Sequence, residues 1–375
     1  MKKTVLLAAS SLFLCGSVLA YMASFCAFSN DRPNSNQNRF GGYGQLNSTN
    51  GIYFYDDTCF YYQARSAGMQ SDEIALFSYN ITTGDVSKVC KRINCDHQTA
   101  ACPIYPLYMD YHAKMKVALI DHSFYAPRYT RKKYEVIQWD PLTDTIEPVL
   151  TIPHSQTIGE QNGMHTEIPS FFECVMQLPE EQLLVQYNNV IHIYNHELKE
   201  ITHFSCSDFT HPIVIENVLY WIDFDNFAVN CYNLNTFVLE KDVLSNALNE
   251  RGVCGITWGQ TFVNFGYNGK LYFPNKDAVY AYDNETKSVQ KVTETDQFSE
   301  ESNKRVCFGD GNRIYYKHEG IVYRMNLDNG QIEKLSEMTD VPAARVYDYL
   351  LVLAPVQNGD AGDIQRYDLN GRKTE

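Results

Sequence analysis

The sequence predicts an all-β fold, and three observations support this prediction. Tyrosine and phenylalanine are plentiful, at 27 and 20 of 375 residues, and aromatic side chains favour strands over helices. No stretch after Asn30 keeps apolar residues at the helical spacing i, i+3, i+4 and i+7 over three turns. The third observation is a strand–turn–strand pattern that recurs seven times from residue 76 onwards.

Each copy of the repeat has the chemistry of a β-hairpin. A short apolar strand ends in a large side chain, a polar turn follows, and a second short strand comes next, as in AVYAYDNETKSVQKV (278–292). Thr-Gly, Asn-Gly or Asp-Asn lies in the bend, where positive φ is tolerated. The large side chain before the turn marks the copies, which follow one another at steps of 38 to 60 residues. These markers are Tyr79, Trp139, Tyr194, Tyr232, Tyr282, Met325 and Tyr367.

Most copies follow another strand pair, so each unit contributes three to four antiparallel strands. The stretch GKLYFPNKDAVYAY (269–282) is an example. Such a unit cannot bury both of its faces alone, and packing units face to face around an axis hides them and shortens exposed edges. We therefore expect a β-propeller over residues 46–375, with seven blades indicated by the seven copies and six or eight as alternatives.

Residues 1–28 have the pattern of a signal peptide or membrane anchor helix. Two lysines open the chain and a long uncharged apolar run follows, which sends the rest of the chain outward. Three fates stay open: cleavage after Ala20, attachment of a lipid at Cys15, or retention as a membrane anchor. Residues 29–45, rich in Asn, Ser, Pro and Gly, are predicted to form a flexible linker. Every fate places the propeller outside the cytoplasm, at the cell surface or secreted.

A separate cluster of reactive side chains lies in residues 90–105, between the first two copies of the repeat. Cys90, Cys95, His97 and Cys102 form a C-x4-C-x-H-x4-C array. Three thiolates and an imidazole within so few residues could coordinate a structural zinc ion tetrahedrally, and the zinc would cross-link an irregular loop. A disulfide involving two of these cysteines is the alternative outside the cytoplasm, and free thiols are the third interpretation. No cofactor other than this possible structural zinc is indicated.

Two features of the sequence carry a resemblance to a known group of proteins. The repeats, of the form xLYYxxxxxIYRxDxxTGxxxKL, resemble those of exported bacterial propellers in the TolB-like and quinoprotein-like group. The resemblance covers roughly residues 50–375 and is closest to surface propellers of Gram-positive anaerobes. Those propellers have a similar Cys-Cys-His-Cys segment after the first blade. The resemblance implies the same exported propeller architecture and does not supply a role for that segment.

Charge and motifs exclude several classes of function. The formal net charge of -14 opposes nucleic-acid binding through a broad basic face. The sequence contains no G-x-S-x-G, H-E-x-x-H, phosphate-binding loop or dinucleotide fingerprint. His192 and His196 flank one hairpin turn and could form a pair of ligands, although surface strand histidines are the favoured interpretation.

The expected function is that of a non-catalytic binding or scaffold module at the cell surface. The aromatic side chains offer stacking surfaces for a glycan, a peptide or an envelope protein, and the N-terminus would provide membrane association. The alternative is a hydrolase or lyase that acts on polysaccharide with paired carboxylates in the propeller funnel. Carboxylates occur in nearly every turn, so the sequence nominates no catalytic residue, and binding is favoured over catalysis.

Overall fold

The computed structural model describes most of the chain beyond residue 51, within the compact unit that spans residues 41–375. The described ranges are 52–55, 58–64, 74–89, 118–120, 123–129, 134–152, 155–161, 164–169, 172–206, 209–223, 228–244, 265–275, 278–294, 307–342, 344–346, 348–353 and 364–374. The predicted anchor, the predicted linker and the segment 90–105 lie outside these residues. Among the residues described, no helix is long and apolar enough to cross a bilayer.

The first half of the described chain forms three four-stranded antiparallel sheets and one separate hairpin. Sheet 1 contains β1 (Ile52–Tyr55), β2 (Thr58–Ala64), β3 (Ile74–Asn80) and β4 (Val86–Lys88). Sheet 2 contains β5 (Ala118–Ile120), β6 (Ser123–Tyr129), β7 (Tyr134–Asp140) and β8 (Thr145–Ile152), and the hairpin β9 (Ser155–Gln161) and β10 (Met164–Pro169) follows it. Sheet 3 contains β11 (Phe172–Gln177), β12 (Leu183–Tyr187), β13 (Val190–Tyr194) and β14 (Glu200–Ser205), with a short 3-10 turn at Pro179–Glu181.

The second half repeats the same arrangement three more times and ends in a smaller sheet. Sheet 4 contains β15 (Thr210–Ile215), β16 (Val218–Asp223), β17 (Ala228–Asn233) and β18 (Val238–Glu240). Sheet 5 contains β19 (Phe265–Tyr267), β20 (Lys270–Asn275), β21 (Ala278–Asp283) and β22 (Ser288–Glu294). Sheet 6 contains β23 (Cys307–Asp310), β24 (Arg313–His318), β25 (Ile321–Asn326) and β26 (Ile332–Leu335), and sheet 7 contains β27 (Ala344–Val346), β28 (Tyr349–Leu353) and β29 (Ile364–Asp368).

The turn after the third strand of each sheet follows one local rule. The marker residue before the turn is buried in all seven cases, and the next residue is Asn or Asp. Its side-chain oxygen accepts a hydrogen bond from the backbone N–H two residues ahead, which fixes the turn. These residues are Asn80, Asp140, Asn195, Asn233, Asp283, Asn326 and Asp368.

Positive φ occurs in each of these turns, three or four residues after the Asn or Asp. Thr-Gly and Asn-Gly place glycine there in three turns, as the sequence predicts; these glycines are Gly84, Gly330 and Gly371. The other four turns place a larger residue in the left-handed region: Asp144, Leu198, Phe237 and Lys287. In the Asp-Asn turn the left-handed residue is therefore Lys287 and not the asparagine, because the Asx hydrogen bonds fix the first part of that turn.

The sheets pack on one another through both faces, and this explains why the middle strands are almost wholly apolar. In sheet 4, β16 and β17 are buried over nearly their full length, whereas the outermost strand β18 has no buried residue. One core cluster joins sheets 3 and 4, a second joins sheets 4 and 5, and others join sheets 2 and 3, 5 and 6, and 6 and 7. The first strands of neighbouring sheets also contact one another, as β1 with β5 and β19 with β23.

The last sheet is joined to the first by side-chain contacts. Nη1 of Arg366, on β29, donates a hydrogen bond of 3.1 Å to the carbonyl oxygen of Ile81, just after β3. The same guanidinium lies 4.8 Å from the ring centroid of Tyr349. A single bridge between Tyr367 and Lys373 stands at the position where the other sheets have a fourth strand. Every sheet described is thus made from one continuous stretch of chain.

The prediction of an all-β fold built from antiparallel hairpin units is confirmed. Consecutive meander sheets that pack face to face, with their first strands in contact, form the architecture of a β-propeller.

Candidate functional site

The residues predicted to bind a metal or a lipid cannot be placed. Cys90, Cys95, His97 and Cys102 lie outside the described residues, and so does Cys15. The zinc, disulfide and free-thiol interpretations of the segment therefore stay predictions.

A different group of potential metal ligands comes together on sheet 3. Side-chain ligand atoms of His192, Glu200 and His203 all lie within 4.8 Å of one another. It is the one such group of three or more His, Cys, Asp or Glu side chains among the residues that the structure describes.

Strand register explains why these three side chains meet. His192 on β13 and His203 on β14 are direct cross-strand partners, so their side chains share one face of the sheet. Glu200 and His203 are three positions apart, so regular alternation would put Glu200 on the opposite face. A bulge at Ile201 inserts one extra residue and pairs Glu200 with Tyr194. Glu200 therefore points to the same face as both histidines.

The carboxylate of Glu200 lies between the two imidazoles. Its Oε2 is 3.1 Å from Nδ1 of His192, and its Oε1 is 2.7 Å from Nδ1 of His203. An ionised carboxylate can only accept hydrogen bonds, so both Nδ1 atoms carry a proton in this arrangement. Burial alone would raise the pKa of Glu200, but the hydrogen bonds from His203 and His192 lower it further than burial raises it.

Two tyrosines border the buried side of this group. The ring of Tyr187 stacks on that of His192, with centroids 4.2 Å apart and planes inclined by 4°. Tyr194 stacks on the same imidazole at 6.4 Å. Burial lowers the pKa of His192, and the hydrogen bond to Glu200 offsets only part of that effect. A lower pKa favours the neutral form of this imidazole, which is the form that ligates a metal.

The exposure of the three side chains to solvent increases from His192 through Glu200 to His203. The side chain of His192 is 13% exposed, that of Glu200 is 38% exposed, and that of His203 is 64% exposed. A solute can thus reach the three ligand atoms from the side of His203, at the outermost strand of sheet 3.

Sequence reasoning identified one member of this group and missed two. The sequence offers His196 as a partner for His192, but the partners that the structure gives it are Glu200 and His203. The signal for His203 is its pairing with His192 once the hairpin turn is placed at Asn195. Glu200 had no such signal, because its orientation depends on a bulge that the sequence does not reveal.

Comparisons with known proteins give a likeness of fold at low identity. No protein-family model matches the chain, and no curated protein matches it. The chain is similar to the β-propeller domain of the Trilobed protease from Pyrococcus furiosus, at 12% identity and a TM-score of 0.45 over 87% of this chain and 97% of that one.

Two further solved structures are similar to a comparable extent. PorZ from Porphyromonas gingivalis, an essential bacterial surface component of the type-IX secretion system, matches at 12% identity and a TM-score of 0.44, over 87% of this chain and 39% of PorZ. TolB from Acinetobacter baumannii matches at 11% identity and a TM-score of 0.38, over 85% of this chain and 63% of TolB. The chain spans less than two thirds of either protein.

Two buried carboxylates outside the His–Glu–His group are held in ion pairs. Asp310, on the first strand of sheet 6, accepts hydrogen bonds of 2.9 and 3.1 Å from Nη1 of Arg345, on the first strand of sheet 7. Glu135 accepts hydrogen bonds of 2.6 and 3.1 Å from Arg128 within sheet 2. These pairings hold both carboxylates in structural roles between or within the sheets.

Proposed function

We propose that this chain is an exported, seven-bladed β-propeller that binds a partner at the cell surface and does no chemistry on it. The observation that carries the proposal is the succession of sheets 1 to 7, each with the same buried marker and Asx turn, which supports one blade per repeat. A ring of this kind presents a broad, rigid face of loops at each end, which suits recognition of a glycan, a peptide or an envelope protein.

Location outside the cytoplasm is part of the proposal and rests on the sequence. The apolar residues 1–28 would direct export, and the linker 29–45 would separate the propeller from a membrane anchor or a lipid on Cys15. The segment 90–105 would be cross-linked by a zinc ion or by a disulfide. Protease treatment of intact cells should degrade the propeller if it is surface exposed. A propeller found only in the cytoplasmic fraction would contradict this part of the proposal.

One buried carboxylate, that of Asp310, favours binding over polysaccharide cleavage because it is paired with an arginine. A glycosidase needs two carboxyl groups about 5 to 10 Å apart that face a substrate. Asp310, on the first strand of sheet 6, forms an ion pair with Arg345 instead. This pairing supports a structural role for Asp310 rather than a role as a catalytic acid.

The test is a search for a partner with the full chain solubilised in detergent. We expect the protein to bind a restricted set of ligands on a glycan and peptide array, or to retain one envelope protein at stoichiometric amounts in a pull-down from membranes. Incubation of the same sample with cell-wall and capsular polysaccharides gives the opposing outcome. Release of new reducing ends or unsaturated sugars would replace the binding function by the hydrolase or lyase alternative.

A further inference from the structure

We propose that His192, Glu200 and His203 form a binding site for a divalent transition-metal ion, with zinc as the preferred ion. This site shares no residue with the Cys/His segment at residues 90–105 and uses nitrogen and oxygen ligands only. It lies on the face of sheet 3 that packs towards sheet 2, near the outermost strand.

The ligand types select the metal. Two imidazoles and one carboxylate suit zinc and its first-row neighbours, whereas calcium and magnesium prefer oxygen ligands throughout. The same set of two histidines and one glutamate is known from open zinc sites, in which a water or a substrate group completes the coordination. The exposed side of His203 leaves room for such a fourth ligand.

The distances agree with coordination after small side-chain movements. Zinc bonds of about 2.0–2.2 Å to nitrogen and oxygen imply ligand atoms roughly 3.3–3.5 Å apart in a tetrahedral site. The ligand atoms here lie within 4.8 Å of one another, and the two nitrogen–oxygen separations are 3.1 and 2.7 Å. A metal ion bound at both Nδ1 atoms would take the place of the protons that now bridge them to Glu200, and each neutral imidazole would then carry its proton on Nε2.

The site is held in position before a metal arrives. His192 and His203 sit on paired strands, the ring of His192 is fixed against Tyr187, and the bulge orients Glu200. Since the backbone and one ring are already ordered, binding would cost little conformational entropy. A hydrogen-bonded trio that only stabilises the bulge would use the same contacts, so the experiment must measure the metal itself.

Cobalt(II) is a suitable probe for the full chain in detergent, because its spectrum reports the ligand type. Nitrogen and oxygen ligands give weak visible bands alone, whereas thiolates add intense near-ultraviolet charge-transfer bands. We expect a chain in which Cys90, Cys95 and Cys102 are changed to serine to develop bands of the first kind upon titration. Zinc should then displace the cobalt and remove these bands.

Matched variants assign the bands to the site. His203→Ala and Glu200→Gln should weaken zinc affinity by about 100-fold or more, because even the loss of a residue that only hydrogen-bonds a metal ligand commonly weakens affinity about 10–100-fold. His196→Ala is the control, since His196 is a neighbouring histidine outside the group. His203 is largely exposed, so His203→Ala should keep the circular dichroism spectrum and the melting temperature that the wild-type chain has in a chelator.

The outcomes separate the site from its alternatives. Equal zinc affinity of His203→Ala, His196→Ala and the wild-type chain would overturn the proposal. Cobalt spectra with thiolate bands only would do the same and would assign metal binding to the Cys/His segment. Neither result would bear on the proposed surface-binding function, which the array and the pull-down test independently.

Discussion

The ion pair between Asp310 and Arg345 joins the first strands of sheets 6 and 7, and its two members are buried to very different degrees. Asp310 is 5% exposed, whereas the side chain of Arg345 is 34% exposed. Replacement of either residue removes the same interaction. The two replacements should nevertheless have unequal effects on stability, because the charge that remains differs in its access to water.

Arg345→Met leaves a buried carboxylate without its cation, and we expect a loss of about 3 kcal/mol, the lower end of the cost of breaking a buried pair. Asp310→Asn leaves a guanidinium that water can reach, and we expect a loss of about 1–2 kcal/mol. The double variant should lose less than the sum of the two, with a coupling of about 1–2 kcal/mol. The free energies follow from urea unfolding of the full chain, monitored by tryptophan fluorescence.

A second ion pair between sheets provides the control. Nζ of Lys287 lies 2.6 Å from Oε2 of Glu240, and the two side chains are 48% and 41% exposed. Glu240→Gln should therefore cost less than about 1 kcal/mol, and salt should abolish the difference. If Arg345→Met and Asp310→Asn destabilise the chain equally, or if their effects add, differential burial does not govern the inner pair.

Three further predictions concern single residues. Phe237→Gly should raise the free energy of unfolding by about 1 kcal/mol, because φ is positive there and half of the ring is exposed. Gly84→Ala should lower it by about the same amount, because φ is positive at Gly84 as well. Urea unfolding measures both changes, and a loss of stability in Phe237→Gly would contradict the reasoning. Burial raises the pKa of Cys231 to about 12, so iodoacetamide at pH 8 should alkylate this thiol about 1000-fold more slowly than an exposed one. Mass spectrometry of samples taken over time measures the rate. Alkylation of Cys231 in the folded chain as fast as in the unfolded chain would refute this. A hydrogen bond from the backbone N–H of Thr286 holds the pKa of Asp283 below its ordinary value. The ionised carboxylate of Asp283 therefore contributes its full stabilisation above a pH of about 4, and this stabilisation disappears as the pH falls further. Asp283→Asn should then cost more stability at neutral pH than at about pH 3, and equal costs at both would exclude the mechanism.

Features that local chemistry determines could be predicted from the sequence. The markers such as Tyr282 and Met325 precede an Asn or Asp in every copy, and both the burial and the turn follow from neighbouring residues. The number of strands in each unit followed in the same way, since each strand pair is close in sequence.

Features that depend on contacts between distant residues could not be predicted. The ion pair of Asp310 with Arg345 spans two sheets, and its partners are 35 positions apart without a distinguishing pattern. The His–Glu–His group needs the register of β13 and β14 and a bulge at Ile201. A bulge changes which face a side chain occupies, so a shift of one residue decides whether the group exists at all.

One continuous stretch of chain supplies each sheet, and this has a consequence for how such a protein can evolve. Duplication or loss of a whole repeat in the gene would add or remove one intact sheet, without cutting the strands of its neighbours. Closure then requires only a new match between two end surfaces, such as the one that Arg366 makes with Ile81. The number of sheets in the fold can therefore change by one at a time, while the hydrogen bonds within the remaining sheets stay intact.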